Sequence, residues 1–360
     1  MKYYHKLKRN YALLNNTSWS TFIQEKRVLD RIIAAYHTSK IYWHPRRFYR
    51  HNSNIKIQKP IFLLGTQGGG LTLISRFIRL LPNMVYISGN ARYWAGPDEL
   101  HNNRRFKHLP NQFTLRSPGY NNMLGNETHH PEFKHERAFL YATDEMIDQY
   151  RLTDTDWTPE LDAQLKKSIQ TCLRTYADDL SSARFQDMSQ TFSLKIPFLR
   201  RCFPDAQFII ISRNPYAVCW KEVQTSLAFL QNPMRATQLA ANHWYNTFSY
   251  ALSDTKNCSN TLFLRFEDFI QSPQDQLAKI YTFLNEPTDV SKLLEEHPYL
   301  PKGSISNKKW LPVNSTVNDK YLKAIPQYAK DIITREGKEL IDQLGYTETT
   351  PQLSNSFDTL

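Results

Sequence analysis

The sequence predicts an α/β protein: a central parallel sheet covered on both faces by helices, three layers in all. Three observations predict it. Short apolar runs at Ile61–Leu64, Gln207–Ile211 and Thr261–Arg265 read as buried strands. Between them lie long segments of helical period, the alternation that parallel sheets require. The first run passes through a glycine-rich turn straight into a helix, as a chain does when it holds a phosphate.

In chain order, residues 1–58 read as an N-terminal extension. Thr21 to Tyr36 places Phe22, Val28, Ile32, Ile33 and Tyr36 as an amphipathic helix. Tyr42 to Arg50 is aromatic and basic, either a packed surface or a docking face for an acidic partner. The main domain is expected over 59–345. After Ile61–Leu64 the turn Gly65–Gly70 opens a helix with Leu73, Phe77 and Leu80 on one face, and Pro82 stops it. Met84 to Ile87 is a second strand. Residues 90–132 are rich in Asn, Gly, Pro, His and Arg and lack periodicity. A loop of that length after a strand is expected to face substrate.

Helical patterns return at Glu136–Tyr150 and Pro159–Ser181. The second starts with a Thr158 cap, Pro159 in the first position and Glu160 in the first turn. Thr191 to Pro197 reads as a strand ending at Lys195, and Phe198–Cys202 as a short helix. The strand at Gln207–Ile211 runs into a turn and helix at Ser212–Lys221. Helices follow at Val223–Leu230 and Arg235–Leu252, then the strand Thr261–Arg265 and a helix over Pro273–Leu284. A basic Gly/Ser loop (301–313), a last helix (Asn318–Leu344) and a flexible tail (346–360) complete the chain.

Composition narrows the function. The 45 Lys+Arg against 34 Asp+Glu give a net charge of +11, which suits an anionic ligand, an acidic polymer or contact with a membrane surface. The basic residues are spread along the chain without a nucleic-acid motif, so nucleic acid is not the expected partner. Cys172, Cys202, Cys219 and Cys258 have no C-x-x-C spacing and read as free thiols in a reducing compartment. No apolar leader follows the basic N-terminus and no run approaches the length of a membrane span, so a cytoplasmic enzyme is expected.

The turn has P-loop spacing with one defect. Gly65, Gly70 and Thr72 fit, but Leu71 stands at the lysine position, and no second acidic motif for Mg²⁺ is evident. That argues against ATP or GTP hydrolysis and for a donor whose phosphates serve as a handle. The plain alternative is a glycine-rich turn that only joins strand to helix.

Three pieces together resemble the sulfotransferase family: Gly65 to Thr72, Phe203 to Pro215, and Leu264 to Phe269 with Phe283-Leu284. Lys195-Ile196-Pro197 is similar to the K-x-P step of the bacterial and tyrosylprotein branches. The resemblance implies a P-loop NTPase-like sulfotransferase fold and 3'-phosphoadenosine-5'-phosphosulfate (PAPS) as donor, with no metal. It places the 5'-phosphosulfate on the N–H groups of Gly68, Gly69, Gly70 and Leu71 and the Thr72 hydroxyl, and the 3'-phosphate on Arg213.

The chain departs from the family at several positions. The family carries lysine or arginine where Gly68 stands, so another cation must meet the leaving phosphate; Lys195 is the first choice and Arg76 the second. The family's serine eight residues after the arginine is Lys221, a phosphate-binding point charge or a surface lysine. Lys302-Gly303-Ser304 resembles the loop that closes over the 3'-phosphate, or is a solvated basic loop. For the base, Glu99 (with Asp98) and His108, in Lys107-His108-Leu109-Pro110, are the candidates, with His101 third. Glu267 and Asp268 are expected to cap a helix. The acceptor is expected to be a hydroxyl, a carbohydrate by the polar loop with Tyr93, Trp94, Asn102, Asn103 and Arg104. The rivals are a non-catalytic nucleotide- or glycan-binding module and a P-loop kinase-like enzyme.

Overall fold

The computed structural model describes residues 46–51, 55–86, 140–286, 288–296 and 316–348. The expected helix at 21–36, the loops at 90–132 and 301–313, and the chain beyond 348 lie outside these. Five strands form one sheet in the order β2-β3-β1-β4-β5. They are β1 (Ile61–Leu64), β2 (Met84–Tyr86), β3 (Arg184–Asp187), β4 (Gln207–Ser212) and β5 (Thr261–Arg265). Every pairing is parallel, with Phe62 opposite Phe208 and Ser212 opposite Arg265.

The alternation of side chains along β1 and β4 divides the core into two layers. Phe62, Leu64, Phe208 and Ile210 pack with α2 (Pro159–Tyr176), α3 (Ile196–Cys202), α4 (Pro215–Gln224) and α5 (Pro233–Thr255). Ile61, Leu63, Ile209 and Ile211 point the other way, against α1 (Leu71–Ile78), α6 (Phe266–Gln271) and α7 (Pro273–Phe283). This is the three-layer sandwich that the sequence predicts. Local chemistry starts the helices: Thr158 Oγ1 accepts from Leu161 N–H, Asn214 Oδ1 from Tyr216 N–H, and Asn232 Oδ1 from Arg235 N–H, each with proline next in the chain. Among the described residues no helix is long and apolar enough to cross a membrane.

The structure corrects several element assignments. Thr191–Pro197 is not a strand. Residues Gln190–Leu194 form a 3₁₀ turn, and Pro197 opens α3. The strand lies earlier, at β3, where the sequence reads as polar. It is buried because its polar side chains find distant partners: Arg184 donates to Lys59 O and Leu284 O, and Gln186 to Ser75 Oγ. Val223–Leu230 is not a separate helix, since α4 ends at Gln224 and turns follow. Of Glu136–Tyr150, Ile147–Tyr150 is helical, 141–146 is turns and a bend, and 136–139 lie outside the described residues. The last helix is two, α8 (Asp319–Ala324) and α9 (Gln327–Gln343), separated at Pro326, which cannot continue the ladder. Tyr346, assigned to the tail, is buried with its hydroxyl 2.5 Å from Ser212 Oγ.

Candidate active site

The glycine-rich loop leaves the carboxyl end of β1, between β3 on one side and β4 on the other. This is a topological switch point, where open α/β sheets bind ligands. The loop is held from below. Gly65 N–H donates to Ser193 Oγ at 3.0 Å, and the Tyr141 hydroxyl donates to Gly65 O at 3.1 Å. Gly69 N–H closes the turn on Thr66 O at 3.1 Å. The sequence reading has Gly69 offer its N–H to the phosphosulfate; here that N–H is engaged in the turn. Gly70 caps α1 at φ +97, and a Cβ there would run into the Phe266 ring. The N–H groups of Gly68, Gly70, Leu71 and Thr72 have no partner among the described residues. Four orphan donors at a helix N-terminus whose first turn carries no acid form an anion cradle.

Two cations converge on Gly68. Arg213, at the end of β4, donates from Nη1 to Gly68 O at 2.6 Å and from Nε to Asn318 Oδ1 at 2.8 Å. Its guanidinium lies over the Phe266 ring, and its buried Nη2 has no partner among the described residues. Burial lowers the Arg213 pKa, and nearby Glu267 opposes that shift. The second cation is Lys221 on α4. A Cβ placed on Gly68 would lie 2.6 Å from Lys221 Nζ. Lys221 pairs with Glu222 at 3.0 Å.

Glu267 and Asp268 do not cap α6, whose start has no side-chain cap. Glu267 is buried, and Oε1 accepts from Asn214 N–H at 2.9 Å and from Asn318 Nδ2 at 2.6 Å. It ties the chain after β4 to the start of α8. Burial raises its pKa, against which these hydrogen bonds and Arg213 act.

Lys195 does not end a strand. It follows the 3₁₀ turn whose Ser193 holds Gly65, and it is fully buried. Its Nζ lies between the Phe192 and Tyr150 rings, at 5.4 and 5.6 Å from their centroids, with no hydrogen-bond partner among the described residues. Burial lowers its pKa to about 7, partly offset by Asp187; burial raises Asp187 to about 6. Arg76 is buried on α1 beside Phe77. The loop residues Gly68, Gly69, Gly70, Leu71 and Thr72 thus come together with Arg213 and Lys221. Glu99, His108, Lys302 and Gly303 lie outside the described residues.

Beside the loop is a small cleft, half open to solvent, where Thr66, Gln67, Glu222 and His243 meet apolar side chains such as Val218, Leu227 and Trp244. The sequence reading missed it, because its walls come from the loop and from two helices with no motif of their own. His243 Nδ1 accepts Ala142 N–H at 3.1 Å, so the neutral ring carries its proton on Nε2. That Nε2, Thr66 Oγ1 and Gln67 Oε1 are buried without partners among the described residues. Burial lowers the His243 pKa to about 3. Among the described residues no three His, Cys, Asp or Glu side chains are grouped to hold a metal.

A model of the sulfotransferase family matches residues 60–290, well over half of the chain. Among solved structures, the chain is similar to a sulfotransferase from Mycobacterium avium, with 15% identity and a TM-score of 0.50, over 89% of this chain and 86% of that one. The sulfotransferase domain of the Synechococcus PCC 7002 olefin synthase has 17% identity and a TM-score of 0.47, over 82% of this chain and 98% of that one. At such identities the likeness is one of fold. No curated protein matches by sequence. The matched span contains the loop, the Arg213 network and the parallel sheet, and the chain belongs to the sulfotransferase family, the PAPS-dependent enzymes that its three sequence pieces resemble.

Proposed function

We propose that this enzyme transfers a sulfuryl group from PAPS to a hydroxyl of its acceptor. The observation that carries the reading is the cradle itself: four orphan N–H groups at the α1 N-terminus, with two cations directed at Gly68. PAPS, when bound, supplies an activated sulfuryl group on a phosphate handle. The Gly68, Gly70, Leu71 and Thr72 N–H groups hold the 5'-phosphosulfate, with the Thr72 hydroxyl beside them. Arg213 takes the 3'-phosphate through the Nη2 that the protein leaves unpaired.

The acceptor enters the pocket beside Thr66 and Gln67. His243 orients its hydroxyl by donating from Nε2; it does not act as the base, because Ala142 N–H occupies its lone pair. The proton goes to a carboxylate, and Glu222 is the one that lines this pocket among the described residues. Glu99 and His108 remain the candidates from residues 90–132. A carbohydrate acceptor is supported by the polar composition of that same segment.

Incubation with ³⁵S-labelled PAPS and a panel of sugars and phenols tests the proposal. Label transferred to a hydroxyl acceptor, with release of adenosine 3',5'-bisphosphate, is the expected result. Tight bisphosphate binding with no transfer to any acceptor would favour the non-catalytic binding module, and a preference for ATP would favour the kinase-like reading.

A further inference from the structure

The two departures at Gly68 and Lys221, far apart in sequence, meet in space. A Cβ built on Gly68 would fall 2.6 Å from Lys221 Nζ, 3.3 Å from Glu222 Oε1 and 3.4 Å from Val218 Cγ2. Gly68 also has φ +74, a conformation that side chains other than glycine adopt at a cost. A side chain at 68 would have to push the Lys221 tip aside and would carry the strain of this backbone. The ammonium occupies the space where a cationic loop side chain would begin. It is not a solvated tip: the Lys221 side chain is 25% exposed, and Glu222 fixes it at 3.0 Å. Arg213 Nη1 grips the carbonyl of the same glycine. Of the other candidate cations, Lys195 is sealed between two aromatic rings and Arg76 is buried on α1.

We propose that Lys221 supplies from α4 the positive charge that the loop lacks at Gly68, and that it meets the 5'-phosphate as the sulfuryl group departs. The inference rests on the donor reading above. In the step, the acceptor oxygen forms a bond to sulfur while the bond from sulfur to the bridging oxygen breaks. The electron pair of that bond stays on the bridging oxygen, so the 5'-phosphate gains negative charge, and the acceptor proton passes to the base. A charge that grows at the leaving oxygen is what a fixed ammonium stabilises more in the transition state than in the ground state. Gly68 is then the complement of Lys221, kept small so that the cation can lie against the loop.

Titration of the full chain with adenosine 3',5'-bisphosphate and with adenosine 3'-monophosphate, which lacks the 5'-phosphate, tests this. Lys221→Ser is expected to weaken the bisphosphate roughly tenfold or more and to leave the monophosphate within about twofold, with kcat reduced more than binding. Lys221→Arg is expected to retain most of both. Equal weakening of both nucleotides would overturn the proposal and place Lys221 at the 3'-phosphate. So would unchanged bisphosphate affinity in Lys221→Ser while the wild type binds tightly. A wild type that binds neither nucleotide would overturn the donor reading, and this inference with it.

Discussion

The carboxylate of Glu267 accepts the side-chain amide of Asn318 at 2.6 Å, joining residues that lie 51 positions apart in the chain. Asn318 in turn accepts from Arg213, so one buried carboxylate sets the position of the arginine at the loop. Glu267→Ala would leave the Asn214 N–H, the Asn318 amide and the Arg213 charge without it. A loss of about 3 kcal/mol in urea unfolding is expected. Glu267→Gln, which keeps an acceptor oxygen, is expected to lose less. If Glu267 were only a helix-start residue, the alanine variant would lose well under about 1 kcal/mol.

Ser193 holds the first glycine of the loop. Removing its hydroxyl strands the buried N–H of Gly65. Ser193→Ala should cost about 1–3 kcal/mol and weaken adenosine 3',5'-bisphosphate, because the cradle loses its lower anchor. Calorimetric titration of this variant beside its melting curve would show both effects; a destabilised variant with unaltered nucleotide affinity would mean that the loop holds its shape without Ser193.

His243 makes stability depend on acid. Its pKa is lowered to about 3 from 6.5 by burial, so the unfolded chain takes up a proton that the folded chain refuses. The contribution is fully present above pH 6.5 and is lost as the pH falls toward 3. His243→Asn keeps an acceptor for Ala142 N–H and removes the titration. Its urea midpoint should vary less with pH between about 6 and 4 than that of the wild type; parallel curves would rule the histidine out as the source.

Lys195 acts in the opposite range. Its folded pKa of about 7 lies below the ordinary 10.5, so from about pH 7 upward the unfolded state holds a proton that the folded state has shed. Stability then rises with pH across that window. Lys195→Met removes the titratable group, keeps the apolar length between Phe192 and Tyr150, and should flatten the rise between pH 7.5 and 9.5. An unchanged slope would mean that the lysine stays charged in its aromatic slot.

Glu222 carries the proton-transfer assignment. Glu222→Gln should lower kcat by about 10²-fold while sulfated product remains measurable. Because Glu222 is also the ion-pair partner of Lys221, bisphosphate affinity is measured alongside, and the fall in kcat at saturating donor is the reading. Full turnover in this variant would return the role of base to Glu99 or His108.

What the sequence determined by itself was written in local signals. The alternating faces of Ile61–Leu64 and Gln207–Ser212, the glycines of the turn, and the prolines that open α2, α4, α5 and α7 all act within a few residues, and from them the α/β class and the phosphate cradle follow. Tertiary structure decided the rest. β3 reads as polar because the groups that satisfy Arg184 and Gln186 lie about a hundred residues away. Glu267 resembles a helix-start acid until Asn214 and Asn318 close on it. The pocket at His243 has no motif, since an unpaired nitrogen is a property of packing and not of spacing. Gly68 and Lys221 were each visible as an oddity, but only the placement of α4 against the loop shows that they fill one space between them, because two side chains exclude each other only where the fold has brought them together.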